Sequence, residues 1–290
     1  MKMPRIGSGG PQTHKWLLTP AIVAIGLLLI LPLAFITTLS LGLSSLDGSG
    51  EPGFGAWRAV LSDGFYGWFL VKTLFVAAVT TAIAALLGFP PAYLIATSRL
   101  RWKGLLLLLI ILPFWVSYII RTMSWINILG ASGAINESLM ALGLVSEPLP
   151  LLFNQGAVIL GLVHFVLPFM ILNIYVALDG LDHSLAEAAR ALGASPWQAF
   201  RRVVLPLSLP GLAAGSLISF LLAAGSYVTP TILGGPTDAM FSNLIYESVI
   251  IQLDWRTGAV LALILLAAFG TVTILFGRFF GLERIGRASL

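Results

Sequence analysis

The sequence is dominated by long apolar runs, each about as long as a helix that crosses a lipid bilayer. A spanning helix needs roughly 20 mostly apolar residues, and six such runs lie between charged residues. Hydrophobic residues make up 58% of the chain and charged residues only 10%, whereas soluble domains carry about 25% charged residues. So few charges cannot cover a globular surface. The sequence therefore predicts an all-α integral membrane protein with six transmembrane helices.

The charged residues that bound these runs locate the predicted spans. The spans cover approximately residues 16–43, 66–99, 103–128, 155–178, 207–228 and 256–278. The first run is too long for a signal-peptide core and is interpreted as a retained helix. Residues 1–65 then form an N-terminal tail, the first span and an outer loop. Residues 66–283 form the main transmembrane domain, and residues 284–290 form a tail.

The basic residues predict the orientation of the chain, because cytoplasmic loops of membrane proteins are enriched in Lys and Arg. Six spans place both termini on one side, and a cytoplasmic location of the termini puts twelve of the 16 basic residues inside. These residues are Lys2, Arg5, Lys15, Arg99, Arg101, Lys103, Arg190, Arg201, Arg202, Arg278, Arg284 and Arg287. We therefore expect a multi-pass membrane protein surrounded by lipid, with both termini in the cytoplasm. The same bias explains the high pI without a nucleic-acid partner.

Several kinds of chemistry have no sequence signature in the chain. Cysteine is absent, and the three histidines, His14, His164 and His183, show no metal-ligand spacing. No G-x-x-x-x-G-K-[ST] phosphate loop occurs. We expect no catalytic residue, metal or cofactor in this chain, and hence no enzyme. Ion-coupled carriers place Asp, Glu or His within their spans. Here the spans lack central carboxylates, and His164 is interpreted as an interhelical hydrogen-bonding residue.

A polar stretch, SLAEAARALGASPWQAFRRVVLP at residues 184–206, interrupts the apolar sequence between the fourth and fifth predicted spans. Ser184 with Glu187, and Ser195 with Gln198, have the spacing of two helix-capping boxes. Gly193 suits the left-handed backbone position that ends a helix. Pro206 stands where the second helix meets the fifth span. The stretch, termed here the elbow segment, predicts a helix, a glycine bend and a second helix.

Two interpretations of the elbow segment remain open on physical grounds. The alanine-rich first helix has little side-chain bulk and could enter a groove on a partner protein. The arginines and Trp197 equally suit an amphipathic helix on the lipid surface.

Glu187-Ala188-Ala189, Gly193-Ala194 and Leu205-Pro206 resemble the EAA loop of binding-protein-dependent ABC importer permeases. The similarity extends over about residues 66–282. It includes GFPPAYLIA, LPFWVSYIIRTMSWINILG, EPLPLLFNQGAVILGLVHFVLPFMIL and SYVTPTILGGPTDAMFSNLIYESV, which are similar to permeases for spermidine, putrescine and related substrates.

The resemblance implies that the elbow segment docks as a coupling helix on cytoplasmic ATP-binding subunits. Its implied coupling residues are Glu187, Ala188, Ala189, Gly193, Ala194 and Pro206. The family also implies a second permease subunit, a periplasmic substrate-binding protein, and ATP and Mg bound by the partner ATPase. The expected function is ATP-driven import of polyamines by alternating access. Alternatives are import of opines or amino-acid derivatives, ferric iron or oxyanions, or secondary ion-coupled transport.

The end of the fifth predicted span, AAGSYVTPTILGGP, contains glycines and prolines that oppose a straight helix. Interrupted helices can line transport pathways, and carboxylates beside aromatic rings favour a cationic amine. The candidate pathway residues are Trp125, Ser226, Tyr227, Thr229, Asn243, Tyr246, Glu247 and Asp254. Alternatively, these residues lie at the membrane interface, contact the periplasmic substrate-binding protein or face solvent.

Two further expectations concern packing and charge within the spans. Arg121 would suit an anionic substrate better than a polyamine and is expected to pair with an acid. Gly-x-x-x-Gly spacing is not prominent, so it predicts no particular helix contact.

Overall fold

The computed structural model describes residues 13–43, 52–98, 101–181 and 184–280. Every regular element within these ranges is helical, which confirms the predicted all-α class. The helices are α1 Thr13–Ser40, α2 Gly55–Ser62, α3 Gly64–Thr97, α4 Lys103–Ile111, α5 Tyr118–Leu129, α6 Ala134–Ala141, α7 Gln155–Asp179, α8 Ser184–Ala191, α9 Pro196–Ala199, α10 Leu205–Ala224, α11 Val228–Leu233, α12 Phe241–Tyr246 and α13 Trp255–Phe280.

Five of the predicted spans are single helices long and apolar enough to cross a membrane. They are Val23–Ser40 within α1, α3, α7, the continuous helix Pro196–Ala224, and α13. Most of the apolar side chains described on α1 are exposed, including Leu28 at 76%. Because such a surface is unfavourable in water, this face suits lipid.

The third predicted span is broken, so the prediction of one helix over residues 103–128 was wrong. Its two parts, Lys103–Trp115 and Tyr118–Ala141, meet at 94°. Leu112–Trp115 forms a 3-10 turn and Val116 is extended. Pro113 favours this break because it has no N–H for a helical hydrogen bond and its ring crowds the preceding turn. The Arg121 guanidinium donates to the Pro113 carbonyl at 3.0 Å. Within the described residues, Arg121 thus hydrogen-bonds to a backbone carbonyl and not to the expected acid.

The fifth span also differs from its predicted bounds of 207–228. The helix begins at Pro196 and ends at Ala224, with a π turn at Phe200–Val204. Within that turn the Leu205 N–H donates to the Phe200 carbonyl. Pro206 has no N–H to offer the preceding turn. The wider π turn therefore carries the helix past Pro206 without ending it.

The centre of the fold consists of α3, α7 and α10, whose buried residues include Val166, Met170 and Ile174. At Gly211 on α10, an added Cβ would lie 2.3 Å from the Ala177 Cβ and 2.5 Å from the Asn173 carbonyl oxygen. At Gly215 it would lie 3.0 Å from the Met170 Sδ. Small residues allow such close helix approach in membranes. The expectation that Gly-x-x-x-Gly spacing was uninformative is therefore wrong for residues 211–215.

Polar contacts tie the helices together at both ends of this bundle. At the end that carries the elbow segment, termed the elbow end, Lys103 donates to the Ala96 carbonyl at 2.9 Å and lies 3.5 Å from the Asp179 carboxylate. At the opposite end, termed the far end, the Phe241 N–H donates to the Thr73 hydroxyl at 2.7 Å. Lys72 donates to the Thr237 carbonyl there. These contacts fix the loops against α3.

Candidate functional site

The first helix of the elbow segment ends in the predicted left-handed bend. Gly193 has φ +90°. Its N–H donates to the Arg190 carbonyl at 3.0 Å, and the Ala194 N–H donates to the Ala189 carbonyl at 3.1 Å. These two bonds form a Schellman motif, which satisfies carbonyls that the end of a helix leaves free. The bend is therefore a defined turn.

The second helix of the elbow segment begins with the predicted capping box. The Ser195 hydroxyl accepts from the Gln198 N–H at 3.2 Å, and the Gln198 side chain accepts from the Ser195 N–H at 2.9 Å. Pro196 occupies the first turn, where its missing N–H costs nothing. The corresponding box predicted for Ser184 lies outside the described side chains. The second box is confirmed.

The outer face of the elbow segment exposes both polar and apolar groups. Glu187 is exposed, Leu192 is 89% exposed and Trp197 is 67% exposed. The Trp197 ring stacks on Phe200 with centroids 5.5 Å apart. Phe200 packs edge-on against Phe89 of α3 at 5.6 Å. The segment is thus anchored to α3 and presents Glu187 and Leu192 outward.

Beyond the far end of α10 the helix breaks, as the glycine and proline pattern predicted. Gly225 caps α10, and α11 begins at Val228. Ser226 is 8% exposed and Thr229 is fully buried. The Tyr118 hydroxyl of α5 lies 2.9 Å from the Ser226 hydroxyl and also hydrogen-bonds to the Thr229 hydroxyl. These two predicted pathway hydroxyls are therefore engaged in a contact between helices.

Trp125 and His164 join α5 to α7. The Trp125 indole N–H donates to His164 Nδ1 at 3.1 Å, which confirms the predicted interhelical hydrogen bond of His164. One turn away, the Arg121 guanidinium lies 5.8 Å from the Tyr118 ring and 5.9 Å from the Phe165 ring. Cation–π contacts of this kind stabilise a partly buried guanidinium.

Two predicted pathway tyrosines form an exposed aromatic pair at the far end. The Tyr227 and Tyr246 rings stack with centroids 5.2 Å apart and planes 14° apart, and both residues are 42% exposed. Asn243 holds the backbone beneath them by donating to the Tyr227 carbonyl at 3.0 Å and the Thr231 hydroxyl at 2.8 Å. Asn243 thus positions the ring pair and has little hydrogen-bonding capacity left for a solute.

The two predicted pathway carboxylates differ in their surroundings. Glu247 follows Tyr246 directly, is exposed, and accepts from the Gln252 amide at 3.3 Å. Asp254 accepts from the Thr257 N–H at 3.0 Å. That bond makes Asp254 the N-cap of α13, a role typical of aspartate. Glu247 is therefore the exposed carboxylate that follows the ring pair directly in the chain.

Tyr118 is the contact residue that the sequence analysis did not single out. It lies in the stretch LPFWVSYIIR, immediately after the break in the third span. A tyrosine that follows a proline-containing break is only a weak sequence signal of a contact between helices. Its partners, Ser226 and Thr229, are more than 100 residues away in the chain.

Residues 16–281 match a family described as binding-protein-dependent transport system inner membrane component. The chain belongs to this family. It is therefore a multi-pass inner-membrane component of a transport system, and it works together with other chains of that system, including a binding protein.

Curated relatives of the family share much of the sequence. The spermidine/putrescine transport system permease protein PotB of Haemophilus influenzae is 37% identical over 203 residues, covering 70% of this chain and 71% of the relative. PotB of Escherichia coli K12 is 35% identical over 218 residues, covering 75% of this chain and 79% of the relative.

A solved structure shares the fold of this family member. A chain in the bacterial alginate ABC transporter, in complex with an alginate pentasaccharide-bound periplasmic protein, aligns with a TM-score of 0.71 at 15% identity. The alignment covers 92% of this chain and 93% of that one. At this identity the likeness concerns the fold alone.

Proposed function

We propose that the chain is the permease subunit of an ATP-driven importer for spermidine, putrescine or related small organic cations. The observation that carries this proposal is the 37% identity to the PotB permease of Haemophilus influenzae over 70% of the chain. The chain itself acts as a conduit without catalytic chemistry, and ATP and Mg bind to partner subunits. Both termini face the cytoplasm.

The elbow segment is the proposed docking site for one of two cytoplasmic ATP-binding subunits. Its exposed Glu187 and Leu192 offer one charged and one apolar contact, a combination suited to a groove on a protein. The Schellman motif and the capping box stiffen the segment on either side of Gly193. A stiff segment passes a displacement on to α10 instead of absorbing it. Closure of the ATP-binding subunits would thereby shift the permease between its two access states.

The proposed solute contact in this chain is the far-end group of Tyr227, Tyr246 and Glu247. Exposed aromatic faces attract ammonium groups, and the carboxylate of Glu247, the next residue after Tyr246 in the chain, adds an opposite charge. Ser226, Thr229, Asn243 and Asp254 support the surrounding structure through hydrogen bonds. A second permease subunit supplies the other half of the pore, and a periplasmic binding protein delivers the solute to it.

Reconstitution tests the proposal. The chain is inserted into liposomes with its second permease and ATP-binding subunits, and uptake of radiolabelled spermidine is measured with the binding protein outside and ATP inside. We expect uptake that requires both ATP and the binding protein. Uptake that persists without the ATP-binding subunits but depends on an ion gradient would favour secondary transport. Transport of an oxyanion or ferric iron in place of spermidine would reject the proposed substrate.

A further inference from the structure

We propose that the Tyr118 hydroxyl links the broken third span to the helix that begins in the elbow segment, so that α5 follows movements of α10. Tyr118 would then be a positioning residue for transport that acts without touching the solute. The inference rests on the proposed function insofar as it assumes that ATP-binding subunits move α10.

The second helix of the elbow segment is continuous with α10. The helix runs unbroken from Pro196 to Ala224, 29 residues in all, which corresponds to about 43 Å at 1.5 Å per residue. Its first end is fixed by the capping box at Ser195 and its last residue is followed directly by Gly225 and Ser226. A displacement at the elbow end therefore reaches Ser226 through one helix.

Tyr118 is the first residue of α5 and lies directly after the break in the third span. The 94° break separates α5 from α4, so α4 does not carry α5 as a continuous helix would. The Tyr118 ring packs on Phe165 with centroids 4.5 Å apart. Its hydroxyl reaches across to Ser226 and Thr229. The N-terminal end of α5 is thus tied to the segment that follows α10.

The link between Tyr118 and the segment after α10 is made to buried hydroxyl groups. Ser226 is 8% exposed and Thr229 has no exposed surface, so water does not readily replace a hydrogen bond lost there. Leaving a buried hydroxyl without a partner is costly. The three hydroxyls can satisfy one another because the phenolic group can donate to one serine or threonine oxygen and accept from the other hydroxyl. The link is therefore expected to persist while α10 moves.

The experiment uses the complete transporter and a reporter on α5. The chain has no cysteine, so Met123→Cys, whose native side chain is 51% exposed, provides one site for a bimane fluorophore when the partner subunits are cysteine-free. Emission is compared between the nucleotide-free complex and the complex trapped with ATP and vanadate. With Tyr118 intact, we expect the emission to shift between the two states.

Three variants in the labelled chain identify the link. Tyr118→Phe keeps the ring packing but removes the hydroxyl, and we expect it to lose the shift and to lower spermidine uptake per ATP hydrolysed. Ser226→Ala combined with Thr229→Val should lose the shift equally, and adding Tyr118→Phe should cause no further loss because all the changes remove the same contact. Tyr66→Phe is the matched control, since the Tyr66 hydroxyl makes no hydrogen bond within the described residues, and it should retain the shift.

The possible results distinguish a failure of the Tyr118 link from a failure of the proposed transport function. A nucleotide-dependent shift that survives in Tyr118→Phe as it does in Tyr66→Phe overturns the link, as does the absence of any shift with Tyr118 intact. Loss of the shift together with a lower thermal stability of the complex would assign Tyr118 a purely structural role. A complex that shows the expected shifts but takes up no spermidine would reject the proposed substrate and leave the link standing.

Discussion

Glu247 is exposed and directly follows Tyr246 of the stacked tyrosine pair in the chain, which leads to a prediction at the scale of one residue. Glu247→Gln removes the charge and keeps the shape of the side chain. Because exposed ion pairs are weak, we expect KM for spermidine to rise roughly two- to fivefold while the maximal rate changes little. Initial uptake rates in liposomes measure both quantities. Glu137→Gln, an exposed acid on α6, is the control. An unchanged KM in Glu247→Gln would remove Glu247 from the proposed site.

Gly193 supports a second prediction at this scale, because its φ of +90° is rarely adopted by residues with a Cβ. Gly193→Ala introduces no close contact, so its cost comes from the backbone alone, about 1–2 kcal/mol. We expect faster amide hydrogen exchange at Ala194, whose N–H closes the Schellman motif. Gly180→Ala is the control, since Gly180 caps α7 at a φ of −78° that alanine readily adopts. Equal exchange at Ala194 in both variants would contradict the prediction.

The contact between α7 and α10 leads to a prediction at the scale of helices. In Gly211→Ala the new methyl group would lie 2.3 Å from the Ala177 Cβ and 2.5 Å from a backbone oxygen, so the two helices must separate. Overpacking of this kind costs about 1–3 kcal/mol. We expect a lower unfolding temperature of the purified permease, measured in detergent.

The control for Gly211→Ala is the same substitution at Gly270 of α13. An added Cβ at Gly270 meets no atom within 4 Å, so Gly270→Ala should leave the unfolding temperature unchanged or slightly higher, since alanine favours a helix. Similar unfolding temperatures for both variants would show that α7 and α10 adapt without strain.

The elements differ in how far the sequence determines them. The capping box at Ser195 and the bend at Gly193 depend on neighbouring residues, so both were predictable. The break at Pro113 was not, because Pro168 and Pro210 lie within continuous helices. A proline alone does not decide between a break and a helix. The outcome also depends on which other groups satisfy the backbone at the break, as Arg121 does for the Pro113 carbonyl.

The candidate pathway residues also differ in whether neighbouring residues alone determine their roles. Asp254 could have been recognised as a helix cap, because it directly precedes an apolar run and lies three residues before Thr257. The positions of Ser226 and Thr229 beside Tyr118 required the fold, since they join segments more than 100 residues apart. The stacking of Tyr227 on Tyr246 likewise depends on how α12 returns to the end of α10.

At the scale of the whole molecule, the two proposed sites lie at opposite ends of one helix. The elbow segment exposes Glu187 and Leu192 at one end, and Tyr227 follows the other end of α10 by three residues. The close packing at Gly211 and Gly215 joins α10 to α7, so the two helices can move as one unit. This arrangement allows a partner at the elbow end to influence a solute site that it does not touch.

The prediction for the whole transporter follows from this separation of sites. Glu187 is exposed and makes no hydrogen bond or ion pair within the described part of the chain, so Glu187→Arg should fold normally and leave the far end unchanged. At the proposed docking surface, however, reversal of the charge places a cation where the partner would meet a carboxylate, and like charges that face each other across an interface weaken association. We expect spermidine uptake per ATP hydrolysed to fall, with the unfolding temperature of the isolated permease unchanged. Glu137→Arg makes the same reversal away from the elbow segment and should retain uptake. Undiminished ATP-driven uptake by Glu187→Arg would exclude Glu187 from coupling and favour contact of the elbow segment with lipid.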